Sequence, residues 1–440
     1  MRVAYIVSRF PVASETFILR EMGGVDGREG IELSLHALFP PSRPFVHPLA
    51  ERWMGRVHRV SAGRAAAACL WWTARRPAAL PRCALALIWA YRRRPGMMAR
   101  ALVTLSLAAA HARQLLREET EHVHAHFATY PAITAWICRR LTGLTYSFTA
   151  HAHDIFVDRS FLEPLIREAS FVATISEFNR SYLTPYAARS RTPIHLVRCG
   201  IEPGAYSFRA RTLPRSGPIE ALCVASFEEY KGHRVLLDAM AREGEVERVR
   251  LTLVGAGRLE RALRSQVWAL GLGDRVSIVG SKSETEVAAL LEAADAFVLA
   301  SIVAADGQME GIPVALMEAL ACGVPTVATR LSGIPELVQD GVTGLLATPG
   351  DAADLAHALE RLLEDESATR GRAAAGRELV EREFSLGRSA ERMRQLFLGL
   401  AAAPDGVLAP REAGGHLAGL ALGDAGQQRP EGEQEPDAAV

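Results

Sequence analysis

Two glutamates eight residues apart, Glu310 and Glu318, frame the start of a predicted helix in the segment DGQMEGIPVALMEALACGVPTVAT (306–329). Pro313 suits the first turn of a helix, the following Ala, Leu, Met and Glu residues favour its continuation, and Gly323 favours its end. The free N–H groups at a helix start bind diphosphates, and each carboxylate can accept hydrogen bonds from a vicinal diol. The spacing, roughly 7.5 Å from Pro313 to Glu318, therefore predicts a ligand made of sugar, diphosphate and ribose. Two solvated charges at a helix end are the alternative.

A second candidate phosphate ligand is Lys231, in the segment SFEEYKG (226–232) that follows a predicted strand at 220–225. Ligands of open α/β sheets bind at the carboxyl ends of strands, and lysine supplies a compact charge on a flexible stem. Gly255 follows the next predicted strand and permits a close approach of the backbone. Considered alone, Lys231 could equally be a solvated loop residue.

Four histidines, His124, His126, His151 and His153, lie at the ends of two predicted strands. Alternate residues of a strand share one face, so each H-x-H pair could bring two metal ligands together. No cysteine lies nearby, and we expect no metal. His151 could also have no functional role and serve only as the cap at the end of its strand.

Four residues are candidates for binding an acceptor molecule. Ser14 and Glu15 open the first predicted helix, where Ser14 is equally well explained as a helix cap. His153 and Asp154 follow the strand that ends near His151. All four would lie at the edge of the sheet where a second domain would meet the first.

Strands alternate with helices along most of the chain, which predicts parallel sheets covered on both faces. The first series starts at 2–8, and the alternation restarts after the segment PRSGP (214–218). The sequence therefore predicts an α/β fold with two doubly wound domains, residues 1–202 and 219–384, joined by a linker at 203–218.

Beyond the second domain, an amphipathic helix at 385–403 is expected to pack back toward the first domain. The remaining residues, 404–440, are rich in Ala, Gly, Pro, Glu and Gln and show little periodicity. This composition predicts a disordered tail.

Residues 52–117 form a basic segment in a chain without net charge. The segment holds 13 of the 50 basic residues and none of the 50 acidic ones, so the other 37 basic residues face 50 acidic ones elsewhere. Its apolar runs contain Trp71, Trp72, Trp89 and Tyr91, and none is long enough to span a bilayer. Arginine, tryptophan and aliphatic residues together suit an anionic membrane interface. The segment predicts peripheral membrane contact. The alternative is a helical insertion that packs on the domain core. We expect no nucleic-acid binding.

The complete phrase MEGIPVALMEALACGVPTVAT (309–329) resembles the donor-site motif of family-4 glycosyltransferases of GT-B fold. Four other segments resemble the subgroup that includes colanic-acid-type exopolysaccharide glycosyltransferases: SRFPVASETFILREM (8–22), HAHFATYPA (124–132), FTAHAHDIF (148–156) and VRCGIE (197–202). The resemblance covers nearly the whole chain to about residue 400. It implies two Rossmann-like domains facing a cleft.

The resemblance also implies roles for individual residues. Glu310 would contact hydroxyls of the donor sugar and Glu318 the ribose, with His151 beside the sugar and Lys231 on the diphosphate. The donor-site loop would offer backbone N–H groups and consists of Gly311, Ile312, Pro313 and Val314. We therefore expect Glu310, His151 and Lys231 to be the catalytic set.

One position departs from the family pattern. The family usually has an arginine five residues before the lysine that corresponds to Lys231, and this sequence has Ser226 there. Either Arg258 or Lys282, on neighbouring loops, compensates for the missing charge, or the diphosphate is held less tightly. The backbone near Lys282 would lie close to the nucleotide base.

The resemblance implies a retaining, metal-independent hexosyltransferase that moves a sugar from a UDP- or GDP-linked donor to a glycan or polyprenyl-linked acceptor, with no other cofactor. Six dispersed cysteines and a start without a signal peptide indicate the cytoplasm. We therefore expect the protein at the inner face of the plasma membrane. Two other classes remain open: a nucleotide-sugar epimerase of the same architecture, and a non-catalytic nucleotide-sugar-binding partner of a membrane assembly.

Overall fold

The computed structural model describes residues 1–12, 15–41, 48–211, 213, 217–364 and 366–402. Ser14, linker residues 212 and 214–216, and the predicted disordered tail at 404–440 lie outside the described residues. The expectations for them stay predictions.

Within the described residues, the first sheet contains seven parallel strands in the order β3-β2-β1-β4-β5-β6-β7. Most of its central residues are buried because helices cover both faces, which is the usual reason for near-continuous apolar strands. The strands are β1 Arg2–Arg9, β2 Glu32–Phe39, β3 Val57–His58, β4 His122–His126, β5 Thr145–Ala150, β6 Phe171–Thr174 and β7 Ile194–Leu196. The helices among them are α1 Thr16–Val25, α2 Pro48–Met54, α3 Ala62–Arg75, α4 Ala79–Tyr91, α5 Pro95–Arg117, α6 Tyr130–Thr142, α7 His153–Phe156, α8 Leu162–Glu168 and α9 Glu177–Ala187.

In the part of the chain that the structure describes, the second sheet contains six parallel strands in the order β10-β9-β8-β11-β12-β13. Its strands are β8 Ile219–Val224, β9 Val249–Val254, β10 Val276–Ile278, β11 Ala296–Leu299, β12 Thr326–Thr329 and β13 Leu345–Ala347. Its helices are α10 His233–Met240, α11 Glu260–Ala269, α12 Glu284–Ala293, α13 Val314–Ala321, α14 Ile334–Leu337, α15 Ala352–Glu364 and α16 Glu366–Glu383. The predicted fold class, two doubly wound α/β domains, is confirmed.

The last described helix, α17 (Leu386–Ala402), packs against α1 of the first domain. Met393 and Phe397 of α17 belong to the same buried apolar cluster as Met22 of α1. A Cβ atom at Gly24 would lie 2.5 Å from the Cβ of Ala390, so only glycine lets the two helices approach this closely.

Most of the basic segment folds as the three helices α3, α4 and α5, which pack on one another, and α4 and α5 also pack on α6. Trp72 is buried and donates a hydrogen bond from Nε1 to the carbonyl of Ala109 at 2.9 Å, and Tyr91 is also buried. Trp89, in contrast, is 71% exposed. Trp72 and Tyr91 therefore fit the alternative of a helical insertion packed on the domain core, and the membrane contact stays a prediction.

Candidate functional site

A cleft of about 520 Å³ lies between the carboxyl ends of the two sheets. Its walls bring together many of the residues singled out from the sequence. From the first domain these are Glu15, His151 and His153, and from the second Ser226, Lys231, Glu310, Gly311, Ile312, Pro313 and Val314. Of the predicted site residues within the described part of the chain, Asp154, Gly255, Lys282 and Glu318 do not line the cleft.

Lys231 and Glu310 form an ion pair in the wall of the cleft, with side chains 13% and 12% exposed. Burial by itself would lower the pKa of Lys231, but the Glu310 carboxylate outweighs it, so the pKa is raised and the amine stays charged. Gly232 fixes the lysine loop in place: at its φ of +67°, a Cβ would lie 1.7 Å from the carbonyl oxygen of Ala300. Lys231 is therefore held by a tight turn against the residue that follows β11, and its ion pair connects it to Glu310.

The start of α13 also faces the cleft, which Pro313, Val314 and Ala315 line. The N–H groups in the first turn of a helix have no acceptor within the helix, so Val314 and Ala315 can offer theirs to a ligand. Gly311 lines the cleft and also has a packing role, because a Cβ at this position would lie 2.8 Å from Cδ1 of Ile175. Glycine at this position allows the two domains to come together beside the cleft.

His151 follows β5 and belongs to a buried chain of polar groups. Its Nε2 lies 3.2 Å from Nδ1 of His126, and Nε2 of His126 lies 3.3 Å from Oε1 of Glu21, although that last pair is poorly aligned for a hydrogen bond. Tyr5 also donates to Oε1 of Glu21, at 2.9 Å. Burial lowers the pKa of His151 well below its usual value, so the ring is neutral. Because Glu21 attracts a proton to Nε2 of His126, Nδ1 of His126 is left to accept a hydrogen bond from Nε2–H of His151. Nδ1 of His151 is then a hydrogen-bond acceptor.

Asp154 was expected to contact the acceptor, but its side chain is completely buried. Its carboxylate accepts backbone hydrogen bonds from Ala128 at 2.7 Å, His151 at 3.1 Å and Ala152 at 2.8 Å. These bonds join the loop after β4 to the loop after β5. Asp154 therefore positions His151, and its carboxylate does not reach the cleft.

Glu318 lies on α13 but outside the cleft lining, where its Oε1 accepts a hydrogen bond from Tyr206 at 2.8 Å. Burial raises the pKa of Glu318. The positive charge of Arg20, on α1, acts in the opposite direction to burial and partly offsets the rise in the pKa of both Glu318 and Tyr206. Arg20 also forms an ion pair with Glu284 at the start of α12. Sequence reasoning missed Arg20 and Tyr206, although Arg20 stands in the segment SETFILREM. Arg20 pairs with Glu284, 264 residues away, and Tyr206 with Glu318, 112 residues away, so spacing in the sequence could not reveal these contacts.

Ser226 stands where the family usually has an arginine, and neither Arg258 nor Lys282 supplies the missing positive charge within this cleft. Arg258 pairs with Glu228 at 2.6 Å, and Lys282 pairs with Glu286 at 3.1 Å. Lys231 is the only lysine or arginine among the described residues that line the cleft. Gly255 also has a packing role, since its Cβ would lie 2.0 Å from the carbonyl oxygen of Ala225.

Glu15 lines the cleft, and its burial raises its pKa to about 7 from the ordinary value of 4.5. Because the folded state disfavours the ionised form, the free energy of unfolding should fall as the pH rises from about 4.5 to about 7. Glu15→Gln should therefore gain stability relative to the wild type between pH 5 and pH 8. Thermal unfolding at these two pH values measures the difference, and equal differences at both would contradict the assigned pKa.

Comparison with known proteins adds a family to this geometry. Residues 207–378 match the family described as "Glycosyl transferases group 1". The amylovoran biosynthesis glycosyltransferase AmsK of Erwinia amylovora is 41% identical over 195 residues, which cover 44% of this chain and 47% of AmsK. The putative colanic acid biosynthesis glycosyltransferase WcaL of Escherichia coli K12 is 41% identical over 201 residues, covering 44% and 48%. The chain thus spans about half the length of these two relatives.

A third relative is matched over more of its length. The N-acetyl-alpha-D-glucosaminyl L-malate synthase of Bacillus anthracis is 31% identical over 293 residues, which cover 64% of this chain and 75% of that enzyme. Among solved structures, Anabaena HepE in complex with UDP-glucose superposes with a TM-score of 0.67 at 18% identity, covering 90% of this chain and 99% of HepE. This likeness concerns the fold.

Proposed function

The chain belongs to the group 1 glycosyl transferases, and on that premise we propose that it moves a sugar, with retention of anomeric configuration, from a nucleotide-sugar donor to a glycan or lipid-linked acceptor in exopolysaccharide biosynthesis. One observation carries the proposal: the Lys231–Glu310 pair and the start of α13 line a single cleft between two Rossmann-like domains. The biosynthetic role is supported by the names of AmsK and WcaL.

The proposed chemistry is mainly electrostatic. A diphosphate would contact Lys231 and the N–H groups of Val314 and Ala315, which stabilise the negative charge that develops as the sugar leaves. Glu310 would then be freed from Lys231 to accept hydrogen bonds from sugar hydroxyls, and Nδ1 of His151 would accept another from the sugar or the acceptor. The departing phosphate oxygen would take the proton of the acceptor on the same face, which retains the configuration. The HepE complex with UDP-glucose supports a nucleotide sugar as donor.

Retention can be tested with the donor alone, because such a transferase also passes its sugar slowly to water. Proton NMR of an α-linked nucleotide sugar incubated with the protein should show the α anomer as the first free sugar, before mutarotation. The β anomer appearing first would contradict retention. No released sugar in the presence of any donor or lipid extract would contradict a transferase.

We further propose that helices α3 to α5 rest on an anionic membrane at the cytoplasmic face, where a polyprenyl-linked acceptor would lie. Among the described residues, no helix is long and apolar enough to cross a membrane. These helices nevertheless expose large apolar side chains: Leu70, Leu85, Ile88, Trp89, Val103 and Leu116. Arginines accompany them, with Arg92 lying 4.5 Å above the ring of Trp89. Exposed apolar and cationic groups on the same helices suit an anionic lipid interface.

The double substitution Leu85→Glu and Trp89→Glu should reduce binding to vesicles of phosphatidylglycerol and phosphatidylethanolamine at least tenfold. Each replaced side chain is more than 60% exposed, so the fold should tolerate the change, while the buried apolar area on lipid is lost and repulsion is gained. Vesicle co-sedimentation measures binding. Trp268→Glu, on α11 and 85% exposed, is the matched control and should bind like the wild type. Equal loss in both variants would contradict docking through α4.

A further inference from the structure

A cluster of histidines and one glutamate lies at the β3 edge of the first sheet, and none of its members lines the cleft. His36 belongs to β2, His58 ends β3, and Glu118 follows directly after α5. His36 is completely buried, while the side chains of His58 and Glu118 are 39% and 20% exposed. No step of the proposed sugar transfer uses these residues.

The separations within this cluster fit a metal ion. Nε2 of His36 lies 3.1 Å from Oε2 of Glu118, and Nε2 of His58 lies 3.1 Å from Oε1 of the same carboxylate. The three ligand atoms lie within 4.8 Å of one another. Ligands about 2.0 to 2.1 Å from a tetrahedral zinc ion are roughly 3.3 Å apart, so a small adjustment of rotamers would accommodate the ion.

Two neighbouring side chains orient the ligands. Gln114 donates a hydrogen bond from Nε2 to Oε1 of Glu118 at 2.7 Å. Nδ1 of His36 lies 3.1 Å from Nδ1 of His111, so a metal on Nε2 of His36 would let Nδ1–H donate to His111. Such outer partners fix the tautomer and the ring plane of a metal-binding histidine.

We propose that His36, His58 and Glu118 bind one divalent transition-metal ion, with Zn²⁺ as the expected occupant and water in the fourth position. Imidazole and carboxylate ligands suit Zn²⁺. His58 lies four residues before the start of α3 at Ala62, and Glu118 directly follows α5, so the ion would fasten both ends of the arginine-rich segment 62–117 to β2. The site is structural and separate from sugar transfer. Without a metal, the same contacts would be hydrogen bonds from the two histidines to one carboxylate.

The test uses the untagged full chain after dialysis against EDTA. Calorimetric titration with ZnCl₂ should show one tight equivalent, and saturating zinc should raise the unfolding temperature by about 5 °C. His58→Ala and Glu118→Gln should each weaken zinc binding at least 100-fold. The matched control is His357→Ala, which should bind zinc like the wild type. His357 also lies near a glutamate, 3.9 Å from Glu360 on α15, but it is not part of the proposed site.

A second readout tests the fastening itself. Zinc should slow trypsin cleavage within residues 62–117 of the wild type, because both ends of the segment are then held, and it should leave cleavage of His58→Ala unchanged. A wild type that binds no zinc would overturn the proposal and leave a hydrogen-bonded cluster. Undiminished zinc binding by His58→Ala would overturn it as well, since the ion would then lie elsewhere, for example at Glu21, His124 and His126.

Discussion

Glu310→Gln is expected to lower kcat for sugar transfer about 1,000-fold while changing donor KM much less. The substitution keeps the size of the side chain but removes the charge that pairs with Lys231. Hydrogen bonds to a charged acceptor are about twice as strong as neutral ones, and a group acting at the transition state is worth about 10² to 10³ in rate. Initial rates of nucleotide release at varied donor concentration separate kcat from KM.

The control for this variant is Glu228→Gln. Glu228 lies on the same loop as Lys231 and also pairs with a basic side chain, that of Arg258. Glu228 does not line the cleft. It should keep wild-type kcat and KM. A Glu310→Gln enzyme that retained more than a tenth of the wild-type kcat would contradict the role assigned to Glu310.

Lys231→Gln is expected to weaken binding of a nucleoside diphosphate about 100-fold. Lys231 is the only basic side chain among the described residues that line the cleft, so no neighbour there can replace its charge. A charged hydrogen bond contributes about 1.5 to 3 kcal/mol, and the variant also leaves Glu310 buried without its partner. Titration calorimetry with UDP and GDP measures the loss.

Two further variants sharpen this result. Lys282→Gln, which removes a lysine that pairs with Glu286 outside the cleft, should bind the diphosphate like the wild type. Ser226→Arg places a cation in the cleft wall and should recover part of the affinity that Lys231→Gln loses. Equal weakening by Lys231→Gln and Lys282→Gln would mean that the diphosphate lies elsewhere.

The sequence predicted most of the secondary structure that positions the site. The strand that carries His124 and His126 was predicted, and Pro313 and Gly323 marked the limits of α13 to within two residues. β3 was missed, since two residues, Val57 and His58, carry no periodicity. Local patterns thus located the elements that continue for several residues.

Contacts between distant parts of the chain were less accessible. Nothing local distinguishes Trp72, which is buried, from Trp89, which is exposed, because the difference depends on how α3 and α4 pack on α5. Asp154 looked like a cleft residue, and only the fold reveals three backbone donors around it. Glu318 likewise required the position of Tyr206, 112 residues earlier in the chain.

The most direct test of the central claim is nucleotide release from a panel of UDP- and GDP-sugars by the purified full chain, with and without a bacterial lipid extract, comparing the wild type with Glu310→Gln. The account predicts that one donor releases its nucleotide slowly in water and faster with lipid, and that Glu310→Gln loses both rates. A wild type that binds a nucleotide sugar but never turns it over would contradict the transferase and favour a non-catalytic binding partner.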